Sequence, residues 1–248
     1  MIFRSLVMTL DKILASLFPN GHDVVLERGL ISGRGPLTDG GSIAVIGVDG
    51  RTSVGVEEAA LLSGHVLDVI KPGSNEPILV LIDSDSQRMS KRDELLGLNE
   101  FLAHLAKCLI LADKLGHRTI GLLYGHTAAG AFIATALATH TLVALPGASP
   151  AVMDLPSMSR VTKLSIEVLQ EKAKSTPVFA PGLDNLAQTG AVALTLDPNS
   201  SLAHQLKAVL SQAVEREDAR DKLGKERKGR PKAADIAERV YELARASV

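Results

Sequence analysis

The chain has 248 residues, of which 46% are hydrophobic and 3% aromatic, with no Trp and a formal net charge of −1 at pH 7. That is enough apolar material for one large core or two small ones. The near-neutral balance excludes a strong field for nucleic acid or a membrane surface, and the shortage of aromatics excludes a stacking platform for single strands.

Leu6, Leu10, Ile13, Leu14 and Leu17 recur at helical spacing and predict an amphipathic helix within residues 1–20, packed on the body or on a partner. Asp11 and Lys12 interrupt the apolar run that a signal peptide needs. Strands are expected at Val24–Glu27 and Ile43–Val48, with glycine-rich turns at 32–36 and 39–41. A helix at Val56–Ile70 ends at Lys71-Pro72-Gly73. Ile78–Ile82 is a continuous apolar run of the interior-strand kind, followed by a loop at Asp83–Ser86. One long helix is expected from Lys91 to Leu115, then a strand at Thr119–Tyr124, a helix at Ala128–Ala138 and a strand at Thr141–Leu145. A short strand at 151–153, helices at 158–174 and 202–215, and a strand at 191–196 follow.

Arg216–Lys232 is a mixed-charge run that reads as a solvated linker, with contact to an acidic carrier protein as the alternative. Ile236, Val240, Leu243 and Ala244 mark a last amphipathic helix. Alternating strands and helices imply right-handed crossovers and a largely parallel sheet. Residues 119–153 contain no Asp, Glu, Lys or Arg, yet glycines, prolines and histidines divide them into core elements instead of a membrane span. The single cysteine, Cys108, permits no intrachain disulfide or Cys-based zinc site and reads as a core thiol in a reducing, cytoplasmic compartment.

The sequence lacks a G-x-S-x-G elbow, a P-loop, H-E-x-x-H and a helix-opening G-x-G-x-x-G. The seven histidines show no metal-ligand spacing. What remains is Tyr124-Gly125-His126-Thr127-Ala128-Ala129-Gly130-Ala131, between a buried strand and a helix of small residues. Small side chains let a ligand approach the backbone, and the N–H groups of a helix's first turn can form an oxyanion hole. Close helix packing accounts equally well for the same residues.

Pro77–Asp85 followed by Leu122–Ala134 resembles the acyl-CoA carboxyltransferase family. There the matching segments read about P-I-I-x-x-I-D-x-P-G and G-E-G-G-S-G-G-A-x-A-I. With Ile46–Arg51, Gly125–Gly130 and Met153–Pro156, the chain is most similar to the gamma subunits of biotin-independent malonate decarboxylases. Thr127, Ala128 and Ala129 depart from the family's Gly-Gly-Ser, and Asp85 stands where Pro is common. A backbone donor survives Gly-to-Ala replacement where φ stays negative.

The resemblance implies an α/β crotonase-like (ClpP/crotonase) spiral of ββα units, of the carboxyltransferase C-terminal-half type. It implies an N-terminal helix over 1–20, the carboxyltransferase domain over 21–215, and a charged linker and helix over 216–248. It further implies decarboxylation of a malonyl thioester on an acyl carrier protein, at a site shared with a homologous beta subunit. Implied partners are that beta subunit, the carrier protein and an acyl-carrier-protein transferase alpha subunit. No cofactor or metal is expected on this chain, the phosphopantetheine-type arm being the carrier's.

Candidate catalytic residues are Gly130, Ala131, Ala129, Ala128 and His126, with Gly125, Thr127, Val48 and Gly50 around the substrate. His126 is either a proton or hydrogen-bond donor or a helix-start histidine bonded to backbone. Asp83 and Asp85 read as loop caps. An autonomous crotonase-type hydratase or hydrolase, which needs an active-site carboxylate, and a purely structural subunit are the competing readings.

Overall fold

The computed structural model describes residues 8–175, 181–212 and 218–247. These fall into two compact units, drawn from 1–152 with 194–213 and from 153–193 with 214–248. The divisions that the sequence places after residues 20 and 215 do not coincide with them.

The first unit is built on β1 (Val25–Glu27), β2 (Leu30–Pro36), β3 (Ser42–Val54), β4 (Ile78–Gln87), β5 (Thr119–Leu123), β7 (Thr141–Ala144) and β9 (Leu194–Thr195). They form one sheet in the order β1-β2-β3-β4-β5-β7-β9. The pairs from β3 onward are parallel, as expected, whereas β1-β2-β3 is an antiparallel meander. Both faces are covered, which is why Ile78–Ile82 of β4 is buried throughout and reads as an unbroken apolar run. On one face, Val45, Leu79, Leu81, Ile120 and Leu122 pack with helices α1 (Leu10–Leu17) and α9 (Leu202–Ser211). On the other, Val48 and Val54 join α2 (Val56–Ile70), α4 (Leu98–Lys114) and α5 (Ala129–Thr135). The expected stripe of α1 is buried at Leu10, Ile13, Leu14 and Leu17, while Leu6 lies outside the described residues.

Local departures have physical causes. Residues 32–36 belong to β2 instead of a turn, and a Cβ at Gly35 would collide with the Phe18 ring, so glycine there serves close packing. The expected long helix breaks into α3 (Lys91–Leu95) and α4 at Gly97, whose φ is +86°. Residues 126–128 form a short strand β6, paired in parallel with β8 (Ser149–Ala151), so α5 begins later than expected and β8 earlier. Most consequential, β4 does not stop at Ile82 but runs on to Gln87, through the expected loop.

The second unit contains α6 (Leu155–Thr162), α7 (Ile166–Ser175), α8 (Leu183–Gln188), α10 (Arg220–Glu226) and α11 (Ala233–Ala246). The single helix expected at 158–174 is interrupted at Lys163, in the left-handed region at φ +62°. The charge run is not the plain linker it was read as. It carries α10, and the Arg227 guanidinium donates to the carbonyls of Ala187, Val192 and Ala193 at 2.7, 2.7 and 2.6 Å. Arg216 and Glu217, and residues 213–215 of the expected preceding helix, lie outside the described residues. Ile236, Val240 and Leu243 share one side of α11, as expected, but are exposed. Among the described residues no helix is long and apolar enough to cross a membrane.

Candidate functional site

The loop from Gly125 to Ala131 leaves the C-terminal end of β5, the edge of a parallel sheet where ligands of α/β proteins gather. Three side chains of the β4 extension hold it. Asp83 Oδ1 accepts the His126 N–H at 2.8 Å, the Ser84 and Thr127 hydroxyls hydrogen-bond at 2.7 Å, and Gln87 Oε1 accepts the Gly130 N–H at 2.9 Å. Each pair is separated by 43 residues in sequence. The β4 extension therefore runs alongside the loop in constant register. Ser84 and Thr127 are both fully buried, so each hydroxyl satisfies the other where water is absent. Gly125 permits this approach, since a Cβ there would collide with the Asp83 carboxylate.

The backbone then turns sharply. Ala128 is extended at φ −144°, and Ala129 opens α5 at φ +48°. A non-glycine residue in this left-handed region costs about 1–2 kcal/mol. The family's Gly-to-Ala exchange at 128 keeps a negative φ, whereas Ala129 carries strain. Of the loop's N–H groups, those of His126 and Gly130 go to β4 side chains and that of Gly125 to the Ile82 carbonyl, while residues 126–128 pair with β8. Ala131 is fully buried, and residues 128–130 are half-buried.

The remaining candidate residues fall in different places. His126 Nδ1 lies 3.0 Å from Ser149 Oγ, which orients the ring along the β6–β8 pair. Val48 belongs to the same core cluster as Ala131, so β3 backs the loop. Gly50 is exposed at φ +66°, with open space where a Cβ would stand. Asp83 is the cap already described, and Asp85 pairs with Arg51 at 3.2 Å. Asp83 thus caps the loop from within β4, whereas Asp85, read as a loop cap, stands in the strand and makes an exposed ion pair.

Two features were not anticipated from the sequence. Gln87 carried no signal, because its placement depends on β4 continuing past Ile82. On the α1 face of the sheet, the Tyr124 hydroxyl donates to Asp49 Oδ1 at 2.6 Å. It borders a cleft of about 380 Å³ that is also lined by Leu10, Leu26, Asp83 and Gly125. Burial and the adjoining Asp49 carboxylate push the Tyr124 phenol well above the usual tyrosine range, so it stays a hydrogen-bond donor.

A mixed α/β sheet with a small-residue loop at a strand-to-helix junction gives the fold class as carboxyltransferase-like, of crotonase type. In fold the chain is similar to transcarboxylase 12S, with a TM-score of 0.66 at 17% identity, over 84% of this chain and 41% of that one. It is similar to a chain of a Pseudomonas malonate decarboxylase hetero-tetramer in complex with coenzyme A, with a TM-score of 0.77 at 23% identity, over 96% and 98% of the two chains. A Pseudomonas malonate decarboxylase MdcD-MdcE hetero-dimer gives 0.74 at 23% identity, again over 96% and 98%.

Residues 50–244 match the family model of the malonate decarboxylase gamma subunit, and the chain belongs to that family. In sequence it is 32% identical over 148 residues to the malonyl-S-ACP:biotin-protein carboxyltransferase MADD of Malonomonas rubra. That match takes in 56% of this chain and 51% of the relative, so the chain spans about half the relative's length.

Proposed function

We propose that the chain is one half of a biotin-independent decarboxylase that converts a malonyl thioester on an acyl carrier protein into an acetyl thioester and CO₂. The observation that carries this reading is the strained, side-chain-clamped loop at Gly125–Ala131, in a chain of the malonate decarboxylase gamma family. In the reaction the bond between the α-carbon and the carboxylate breaks. Its electron pair becomes the enolate of the thioester, CO₂ departs, and a proton then adds to the α-carbon. The charge to be stabilised sits on the thioester oxygen. Fixed backbone N–H groups suit it because they need no reorganisation and do not titrate. Ala131 and Ala129, with Ala128 beside them, are the donors on this side, the Gly130 N–H being held by Gln87, while Val48 and Gly50 border the substrate and His126 passes a proton.

The sister half, a homologous beta subunit, takes the phosphopantetheine-type thioester arm of the carrier protein. An acyl-carrier-protein transferase alpha subunit completes the assembly, which works in the cytoplasm. The competing hydratase or hydrolase reading needs a free carboxylate at the loop. Asp83 is occupied by the His126 N–H and Asp85 by Arg51, which counts against it. The test is CO₂ release from malonyl-carrier protein by this chain alone, by the beta subunit alone and by the two co-expressed. Release only from the co-expressed pair supports the shared site. A stable, silent complex with charged carrier contradicts it.

A further inference from the structure

The segment from Arg220 to Lys232 carries seven Lys or Arg against two acidic residues, in a chain whose net charge is −1. The fold engages three of these cations. Arg220 pairs with Asp218, Lys225 pairs with Asp235, and Arg227 spends its guanidinium on the carbonyls of Ala187, Val192 and Ala193. Lys222, Lys228, Arg230 and Lys232 are exposed, and among the described residues none has a carboxylate within ion-pair distance. The last three stand on the turn from α10 into α11, and Lys232 is the N-cap of α11. A helix dipole favours negative charge at that end, so three unpaired cations there cost stability and bring the fold nothing in return.

The backbone beneath these cations is anchored. The N–H groups of Lys228 and Gly229 donate to the carbonyls of Lys225 and Gly224, both at 3.0 Å, and the Arg230 N–H shares the Gly224 carbonyl at 2.9 Å. Gly224 and Gly229 lie so close to the carbonyls of Thr189 and Gln188 that a Cβ at either would collide. Lys228 takes φ +60° to complete the turn, a conformation that disfavours a side chain. Ile236, one helical turn after Lys232 and on the same side of α11, is 60% exposed, and Val240 beyond it is 61% exposed. Fixed cations beside exposed apolar side chains suit a protein surface. A nucleic acid gains nothing from Ile236 and Val240, and this chain lacks the aromatic residues on which single strands stack.

We infer that the α10–α11 turn is a docking surface for an acidic protein, and that this protein is the acyl carrier protein of the proposed reaction. Lys228, Arg230 and Lys232 meet its carboxylates, and Ile236 and Val240 meet apolar side chains among them. The inference rests on the functional reading above and deepens it by giving the carrier a place on this chain. Exposed charges of this kind act mainly on the rate of encounter, so salt weakens their effect.

The test is calorimetric binding of the apo carrier protein, which lacks the thioester arm, to the assembled complex of this chain with its beta subunit. The variants are Arg230→Glu, the triple change Lys228→Glu/Arg230→Glu/Lys232→Glu, and Lys107→Glu. The last makes the same change of charge as the first at an exposed position on α4. Thermal melts and gel filtration follow folding and assembly, and Arg230→Glu alone decides if the triple variant does not assemble. We expect Kd to rise about threefold in Arg230→Glu and about tenfold or more in the triple variant, mostly through slower association, with the differences shrinking as salt is raised. Lys107→Glu should bind as the wild type does. An unchanged Kd in the charge-reversed turn, an equal rise in Lys107→Glu, or no binding to the wild type would overturn the inference. Tighter binding of an RNA oligonucleotide than of the carrier would overturn it as well. A complex that binds the carrier through this turn yet releases no CO₂ leaves the inference standing and sinks the functional reading. An active complex whose affinity ignores the turn does the reverse.

Discussion

The clamp between β4 and the loop makes a quantitative demand on Gly125. A Cβ added there meets the carboxyl oxygen, Cγ and Cβ of Asp83, all too close for contact. Asp83 cannot retreat without giving up the His126 N–H that it accepts at 2.8 Å. Overpacking of this kind costs about 1–3 kcal/mol, and loss of a hydrogen bond to a charged group adds about 1.5–3 kcal/mol. Because the two losses share one carboxylate they are not additive, and we expect Gly125→Ala to destabilise the first unit by about 2–4 kcal/mol.

Gly64 is the internal control. It lies within α2, and a Cβ there meets nothing within 4 Å. Gly64→Ala should therefore stabilise by about 0.5–1 kcal/mol through the helix propensity of alanine. Urea unfolding followed by circular dichroism measures both. Equal midpoints for the two variants would refute the clamp, since the reasoning requires them to move in opposite directions.

Thr127→Val should strand the Ser84 hydroxyl in the core and cost about 1–3 kcal/mol, with Ser84→Ala/Thr127→Val costing less than the sum of the single changes; a double-mutant cycle by urea titration checks the coupling. Asp93 is buried, accepts from Ser90 Oγ and Val56 N–H, and titrates below its ordinary value chiefly because of the Ser90 hydrogen bond. Its folded pKa is depressed, so its contribution is complete above the unfolded pKa of about 3.9 and is lost as pH falls through the lower folded value. Asp93→Asn should accordingly be less stable than wild type at pH 7, with the gap closing in acid, as followed by thermal melts across that range. Arg227→Leu should expose the second unit to limited proteolysis near residues 187–193 while leaving the melting of the first unit in place, because the guanidinium satisfies three carbonyls there.

The sequence carried the fold well wherever burial wrote a periodic pattern. The α2 boundaries at Val56 and Ile70, the apolar run of β4 and the buried face of α1 all follow from one-dimensional spacing. Breaks set by single backbone angles were not legible. Gly97 and Lys163 end helices by entering the left-handed region, and nothing in their neighbours' polarity announces it. The charge run at 216–232 misled because charged side chains were read as solvated, while Arg227 spends its donors on carbonyls brought close only by the fold.

The loop itself was found from its small residues and its place after a strand. Its geometry was not. The helix starts one residue later than expected, Ala129 takes a positive φ, and the Gly130 donor is already engaged. All three depend on the β4 extension from Asp83 to Gln87, whose polar sequence reads as a loop because its side chains pair with the neighbouring loop and not with a core.

In the proposed reaction, backbone N–H groups of this loop stabilise the enolate. Replacing Ala131 by lactic acid exchanges its amide N–H for an ester oxygen and keeps the side chain, so CO₂ release by the assembled complex reads out that one donor. We expect assembly to be unchanged and kcat to fall by about 10²–10³-fold. An undiminished rate in the ester-bearing complex would contradict the claim and leave the loop a packing element.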